Sequence, residues 1–583
     1  MRRLVLAGLL APLAFAPQGQ ACAAPAAGAA AKPCDTAGLA LPPGFCATVF
    51  ADRLGHARHL AVGADGTVYV NTWSGPYYKD AAPPEAGFLV ALRDNDGDGR
   101  ADEIGRFGEL YAEGGRGGTG LALHNDALYA EAGDRIVRYA LKPGELAPKS
   151  APEAVVSGLP LGGDHPMHPF AIAPDGALYV DLGSATNACE EKNRMPQSPG
   201  KKPCDELETR GGVWRYDADR LGQTFSPAER FATGLRNAEG LAVDARGRVF
   251  ATQHGRDQLA ENWPKLYTRE QGRELPAEVL VELKQGADYG WPECYYDNAQ
   301  GKLVLAPEYG GDGAQTGVCA EKSGPVAAFP AHWAPNDLVI HEGNAFPDSY
   351  RGGAFIAFHG SWNRAPGPQQ GYNVVFQPLR NGAASGPFVV FADGFAGAKK
   401  EPGRAAHRPS GLALGPDGAL YISDDQAGRV WRVTYAGPPD ADVGSVAPAG
   451  TTGETAGEAP AGDAEALARI AALPVHAGST REEVARGAKI FSGAQGSATC
   501  GGCHGSDAKG SPIGSDLASG RFLWSDGSLQ GITETIKKGV PQPKEHGGAM
   551  PPMGGSELSP EELRAVAAFV WSVSRPAGSN GPN

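Results

Sequence analysis

No stretch of this chain stays apolar for the roughly 20 residues that cross a bilayer as a helix, so an integral membrane segment is excluded. Positive charge is in short supply: 52 Lys and Arg face 66 Asp and Glu, a net charge of −14. That balance argues against nucleic acid as a partner, because affinity for phosphate backbones comes mainly from Lys and Arg. No Gly-x-Gly-x-x-Gly motif opens a βαβ unit, which disfavours a nicotinamide held by a Rossmann domain. What the sequence has in excess is 83 glycines and 48 prolines. These favour many short strands and tight turns over a helical bundle. At 583 residues the chain also exceeds what one core usually organises, so at least two domains are expected.

Arg2 and Arg3 precede an apolar run from Leu4 to Phe15, and the small-residue stretch Ala21-Cys22-Ala23-Ala24 follows. This three-part layout reads as a signal peptide over 1–24 and implies a periplasmic or secreted protein. Of the nine cysteines, Cys22 falls at the cleavage site, and Cys500 and Cys503 belong to a Cys-x-x-Cys-His motif. The remaining six, an even number in an exported chain, predict disulfides. Local pairing is the simplest and gives Cys34–Cys46, Cys189–Cys204 and Cys294–Cys319.

Similar segments begin at Leu60, Leu121, Phe170, Leu241 and Leu412, each with alternating apolar residues around a turn. Each reads as strand, turn, strand. Their recurrence suits a β-propeller of four-stranded blades, with a sandwich as the alternative architecture. Six blades of about 65 residues would fit the roughly 390 residues from Gly44 to Tyr435, a number that the resemblance given below supports more than this arithmetic does. Strands around Phe45 to Phe50 and Val430 to Tyr435 would complete one shared blade and remove exposed sheet edges. From 436 to 462 the chain is Ala, Gly, Pro, Thr and acid, with no Lys or Arg between Arg432 and Arg469, the composition of a flexible linker. A small all-α body is expected over 463–575.

In that body, Cys500-Gly-Gly-Cys503-His504 fits covalent attachment of haem c: two thiols at this spacing add to the vinyl groups, and the adjacent histidine reaches the iron. Met550, in Gly-Ala-Met-Pro-Pro-Met-Gly, is the better candidate for the opposite axial ligand, and Met553 is the alternative. Ser559-Pro560-Glu561-Glu562 announces a final helix with an N-cap, a proline at its first position and a capping-box carboxylate. The tail resembles a class I cytochrome c, which assigns the iron to His504 and Met550.

Gly163-Asp164-His165, the Arg236-Asn237 segment, the loop from Gly255 to Leu259, the segment from Ala287 to Pro292, His359-Gly-Ser-Trp-Asn-Arg364 and His407-Arg408-Pro-Ser-Gly resemble the soluble quinoprotein sugar dehydrogenases. The sorbosone and aldose dehydrogenase branch looks closest. The resemblance covers most of 34–435 and implies a six-bladed propeller binding pyrroloquinoline quinone (PQQ) and calcium. It makes His165 the base that removes a hydroxyl proton, with Asp164 influencing its orientation or charge. It sets Arg236 and Asn237 at the quinone carbonyl and adds His254, His359, Arg364 and Arg408 as cofactor-binding residues. The backbone carbonyls of Gly255 and Arg256 would hold the PQQ-bound calcium, although glucose-oxidising members have proline where Arg256 stands. Arg116 likewise departs from a glutamine that contacts substrate in some members.

Apart from that resemblance, Asp94, Asp96, Asp98 and Asp102 alternate around Gly97 and Gly99 like the start of an EF-type loop, without its terminal glutamate. They form a candidate structural calcium site. The expected whole is mainly β, a six-bladed propeller followed by a small all-α cytochrome c domain. Its expected substrate is an aldose or sugar aldehyde, oxidised at PQQ with calcium and with transfer to haem c. A soluble cytochrome or a membrane oxidase would take the electrons onward. The alternatives are a calcium-dependent lactonase or esterase, and a non-catalytic sugar-binding propeller with an electron-carrier tail.

Overall fold

The structure, a computed structural model, describes residues 35–72, 87–108, 118–364, 367–402 and 404–441, and in the C-terminal part 470, 472–492, 500–505, 508–510, 514–541, 543–545, 550–555 and 558–575. The expected signal peptide, Cys34, Arg116 and most of the expected linker lie outside these residues.

Alternation of apolar and polar residues around Gly-containing turns produces antiparallel strands in sets of four. The first blade comprises Ala57–Val62, Val68–Thr72, Leu89–Arg93 and Glu103–Phe107, and the second Leu121–His124, Ala127–Glu131, Arg135–Ala140 and Glu153–Ser157. The third is built from Phe170–Ile172, Ala177–Leu182, Gly212–Asp217 and Arg230–Thr233, the fourth from Leu241–Val243, Val249–Gln253, Glu278–Leu283 and Ala327–Phe329. Pro335–His341, Gly353–Phe358, Asn373–Gln377 and Val389–Ala392 make the fifth. In the sixth, Pro409–Leu414, Leu420–Asp424 and Val430–Tyr435 are completed by the N-terminal strand Phe45–Ala51, paired antiparallel to Val430–Tyr435 as the sequence predicts. Each innermost strand contacts the innermost strand of the next blade, and the sixth returns to the first. That ring closure is a propeller and excludes the sandwich.

One residue of each repeat rivets the ring. Asn71 Nδ2 donates to Gly120 O of the second blade, and Glu131 accepts from the His168 N–H ahead of the third. Asp181 accepts from Ala238 N–H, and Thr252 Oγ1 donates to Pro335 O. Ser423 Oγ donates to Arg58 O and closes the circle. The fifth blade has Ala357 at this position, and Asp337 instead accepts from Leu412 N–H. Apolar residues fill the spaces between blades. Phe45 alone meets Phe346, Tyr350, Phe391 and Tyr435 at ring-centroid distances of 4.7–5.6 Å.

Cys189–Cys204 and Cys294–Cys319 are disulfides, as local pairing predicts. Cys46 is also disulfide-bonded. In the C-terminal part, helices Arg481–Phe491 and Pro560–Val573 both open with capping boxes, from Thr480 with Glu483 and from Ser559 with Glu562. They cross closely at Gly487, where a Cβ would lie 1.9 Å from Ala565 O. No helix among the described residues is long and apolar enough to cross a membrane.

Candidate functional site

The mouth of the propeller is built by register. The innermost strands pair through Leu60, Leu121, Phe170, Leu241, Leu338 and Leu412 at equivalent positions. Five residues upstream of this position stand His165, Arg236 and His407 in the third, fourth and sixth blades, with Asn237 and Arg408 one residue later. These strands run in the same sense around the ring, so the turns entering them deliver polar side chains to one end.

His165 is buried, with Nδ1 2.9 Å from Ser184 O and 3.0 Å from Ser184 Oγ. Ser184 Oγ gives its own proton to Thr186 O at 2.6 Å. Both neighbours of Nδ1 are therefore acceptors, which places the hydrogen on Nδ1 and leaves a lone pair on Nε2. Burial, with the positive charges of Arg236 and Arg194, holds the imidazole pKa well below its ordinary value, so the ring is neutral.

Beside it, Asp257 is the hub of an ion-pair cluster. Its carboxylate lies 2.8 Å from Arg236 and 2.9 Å from Arg194 and accepts from Asn363 Nδ2 at 2.6 Å. Burial works against the charge, yet the two guanidiniums hold its pKa well below the usual carboxylate range. Arg236 also donates to Gly255 O, Asn187 O and Asn187 Oδ1. Gly255 N–H is in turn held by Glu278 Oε2 at 2.7 Å. Across the axis, Arg408 donates to the carbonyls of His359 and Gly360, and His359 Nε2 is 2.7 Å from Asp425, which also pairs with Arg58. His254 Nε2 lies 3.1 Å from Pro335 O, and burial with the nearby Arg236 lowers its pKa to about 3.

In the C-terminal body, a cavity is lined by Phe491, Cys500, His504, Leu517, Ile532 and Met550 among others. His504 Nδ1 lies 2.9 Å from Ser515 O, a hydrogen bond that orients the ring. Met553 packs against the same core without lining the cavity. An apolar lining that includes the Cys500 thiol, with a nitrogen donor in His504 and a sulfur donor in Met550, fits a haem.

Residues 39–436 match the family model described as TrAA12-like. The chain belongs to the TrAA12-like family. Residues 482–570 of this TrAA12-like chain match the model of cbb3-type cytochrome c oxidase subunit III. A pyrroloquinoline quinone-dependent pyranose dehydrogenase of Coprinopsis cinerea is 26% identical over 264 residues, 38% of this chain and 34% of that protein. The FixP subunit of the cbb3-type cytochrome c oxidase of Rhizobium etli is 37% identical over 93 residues, 15% of this chain and 30% of that protein. The curated relatives are thus matched over about half of their length or less. The holo PQQ domain of the C. cinerea pyranose dehydrogenase shares the fold, with TM-score 0.54 and 20% identity over 68% of this chain and 97% of that one. So does a calcium structure of the Trichoderma reesei family AA12 enzyme, with TM-score 0.53 and 19% identity over 69% and 98%.

The TrAA12-like propeller departs from the sequence expectations at several side chains. Asp164 does not orient His165. Its carboxylate binds Arg194 at 2.8 Å and Asn193 at 3.1 Å, and Ser184 takes the orienting place. Arg364 is drawn away from the cluster, because its guanidinium is used by Arg273 O, Ala331 O, Pro368 O and Glu274. The Arg256 side chain is buried against Glu308 at 2.6 Å, which leaves only its backbone carbonyl for a metal. His168, three residues from His165, places its ring nitrogens on Gly133 O and Pro160 O, as a structural residue does. In the acidic loop, oxygens of Asp94, Asp96 and Asp102 lie within 4.8 Å of one another, whereas Asp98 is outside that group and caps Arg100 N–H.

Sequence reasoning missed Arg194, Ser184, Asn187 and the role of Asp257. Arg194 had one signal, its place inside the 15-residue Cys189–Cys204 loop directly after a blade strand. The others become visible only when distant segments meet.

Proposed function

We propose that this protein is a periplasmic quinohaemoprotein that oxidises an aldose or related sugar aldehyde at PQQ and calcium and passes the electrons to its own haem c. The observation that carries this reading is the neutral, oriented His165, with Nε2 free to take a hydroxyl proton beside a cluster of arginines, in a chain that also holds an apolar cavity lined by Cys500, His504 and Met550. When bound, PQQ takes the two electrons and the carbon-bound hydrogen of the sugar, calcium polarises its carbonyl, and haem accepts electrons one at a time.

The residues fit that group. Its three carboxylates call for fixed cations, which Arg236, Arg408 and Arg194 supply. Asn237 Oδ1 is buried without a partner, an acceptor of the kind that an N–H-bearing ligand satisfies. His165 takes the proton, Arg236 and Asn237 face the quinone carbonyl, and the Gly255 and Arg256 carbonyls serve calcium. His504 and Met550 are the haem ligands, with Cys500 and Cys503 as its attachment points. The acidic loop around Asp94, Asp96 and Asp102 takes a second, structural calcium. A tether between the bodies keeps transfer intramolecular, and a soluble cytochrome or membrane oxidase drains the haem. The run from Leu4 to Phe15 supports export.

The test is to load the purified haem protein with PQQ and Ca²⁺, offer aldoses, sorbosone and simple alcohols, and follow the haem α-band. Sugar-dependent reduction is the expected result. Its absence in demonstrably loaded protein would sink the proposal, and lactone cleavage without PQQ would point to a hydrolase.

A further inference from the structure

Four oxygen atoms converge on the guanidinium of Arg236. Nε donates to Asn187 O at 3.1 Å, Nη1 to Gly255 O at 3.0 Å, and Nη2 to both Asn187 Oδ1 at 3.0 Å and Asp257 Oδ2 at 2.8 Å. The set is two backbone carbonyls, an amide oxygen and a carboxylate, with no sulfur or imidazole. It is the hard-oxygen environment that Ca²⁺ selects and that softer metals do not.

The oxygens are also fixed from behind. Glu278 holds Gly255 N–H, Asp257 N–H donates to Asn187 Oδ1 at 2.8 Å, Trp291 Nε1 donates to Asn187 O at 3.0 Å, and Asn363 holds the other carboxylate oxygen of Asp257. Asn187 and Arg236 are both buried. These partly buried oxygens, fixed from behind, surround a single positive charge, here a side chain of the protein.

We propose that Ca²⁺ binds in this position through Gly255 O, Asp257 Oδ2 and Asn187 Oδ1, displacing the Arg236 guanidinium toward the cofactor. This rests on the proposed quinone function and extends it, since resemblance assigned calcium only to the Gly255 and Arg256 carbonyls. The charge accounting favours the exchange. Asp257 is shared by two arginines, so a divalent ion keeps it compensated while one guanidinium is released to an anionic cofactor. Arg236 is thereby an internal competitor of calcium in the quinone-free protein, and calcium and quinone load cooperatively.

The experiment is calorimetric titration of Ca²⁺ into the metal-stripped full-length haem protein without quinone, in a background carrying Asp94→Asn and Asp96→Asn to silence the acidic loop. Asp257→Asn is expected to weaken binding by roughly tenfold or more. Arg236→Gln, which removes the competitor and keeps the oxygens, is expected to tighten it by about threefold or more. If Asp257→Asn fails to fold, judged by its circular dichroism, Asn187→Ala is read instead, with a loss of about fivefold expected. Unchanged affinity in Asp257→Asn or Asn187→Ala, or weaker binding in Arg236→Gln, overturns the assignment. Failure of the two readings is separable. Unchanged affinities with intact sugar-dependent haem reduction would leave the function standing and move the calcium ligands elsewhere. The expected affinity pattern without any sugar-dependent reduction would keep the cation site and remove the function.

Discussion

At the residue scale, the proposed chemistry turns on which nitrogen of His165 is basic, and Ser184 decides it. Its carbonyl and hydroxyl oxygens both accept from Nδ1, so Nε2 alone can take a proton. Because burial and two arginines depress the imidazole pKa, the active neutral form persists down to acidic pH, and kcat/KM should rise only at the acid end and stay flat through neutrality. Arg194→Gln removes one of those positive charges. The acid limb should then move to higher pH, and a profile coincident with the parent would show that Arg194 does not tune His165. In the C-terminal body, Met550 lines the haem cavity and Met553 does not. Met550→Leu should therefore lose the sulfur–iron spectroscopic signature and lower the haem potential, while Met553→Leu keeps both, as measured by spectroelectrochemistry. His165, Arg236, Arg408, Cys500 and His504 were legible in the sequence because each sits in a local motif. Ser184, Arg194 and Asn187 were not, because their roles come from contacts 19 to 70 residues away along the chain.

At the element scale, the strand Phe45–Ala51 closes the sixth blade, and Phe45 is its largest anchor, 2% exposed among four aromatic rings. Phe45→Ala should cost about 3–5 kcal/mol in denaturant unfolding. Asp181→Ala, which removes one inter-blade rivet and leaves a buried N–H unpaired, should cost about 1–3 kcal/mol. A larger loss from the rivet than from Phe45 would mean that the ring depends on polar links more than on packing. Strand alternation and turns were readable because both are local. The rivets were present in the repeats as Asn71, Glu131, Asp181, Thr252 and Ser423, but as different residue types that share only a position. What unites them is geometry, since each side chain there reaches the neighbouring blade.

At the scale of the whole molecule, the proposed function divides a two-electron oxidation in the propeller from one-electron delivery by the C-terminal body. Cys500→Ala should leave sugar oxidation by an artificial dye acceptor near the parent rate and abolish reduction of a covalently bound haem, measured with the same loaded protein in both assays. Loss of dye-linked turnover in that variant would show that the propeller depends on the cytochrome body for more than electron removal. The family match over 39–436 and the cytochrome match over 482–570 divide the chain where its composition changes.

The sequence by itself determined the strand repeats, the local disulfides, the haem-attachment motif and the cap of the final helix, because hairpins, short loops and helix ends are governed by residues within a few positions of one another. Only the tertiary structure decided which polar groups meet at the propeller mouth. There Asp164 turned to Arg194, Arg364 was drawn to the half-exposed Glu274 and Arg256 into a buried pair with Glu308, and Arg236 settled among oxygens from two separate segments. Buried charges must find partners in space, and the nearest partner in a closed ring of blades is set by how the ring packs, not by distance along the chain.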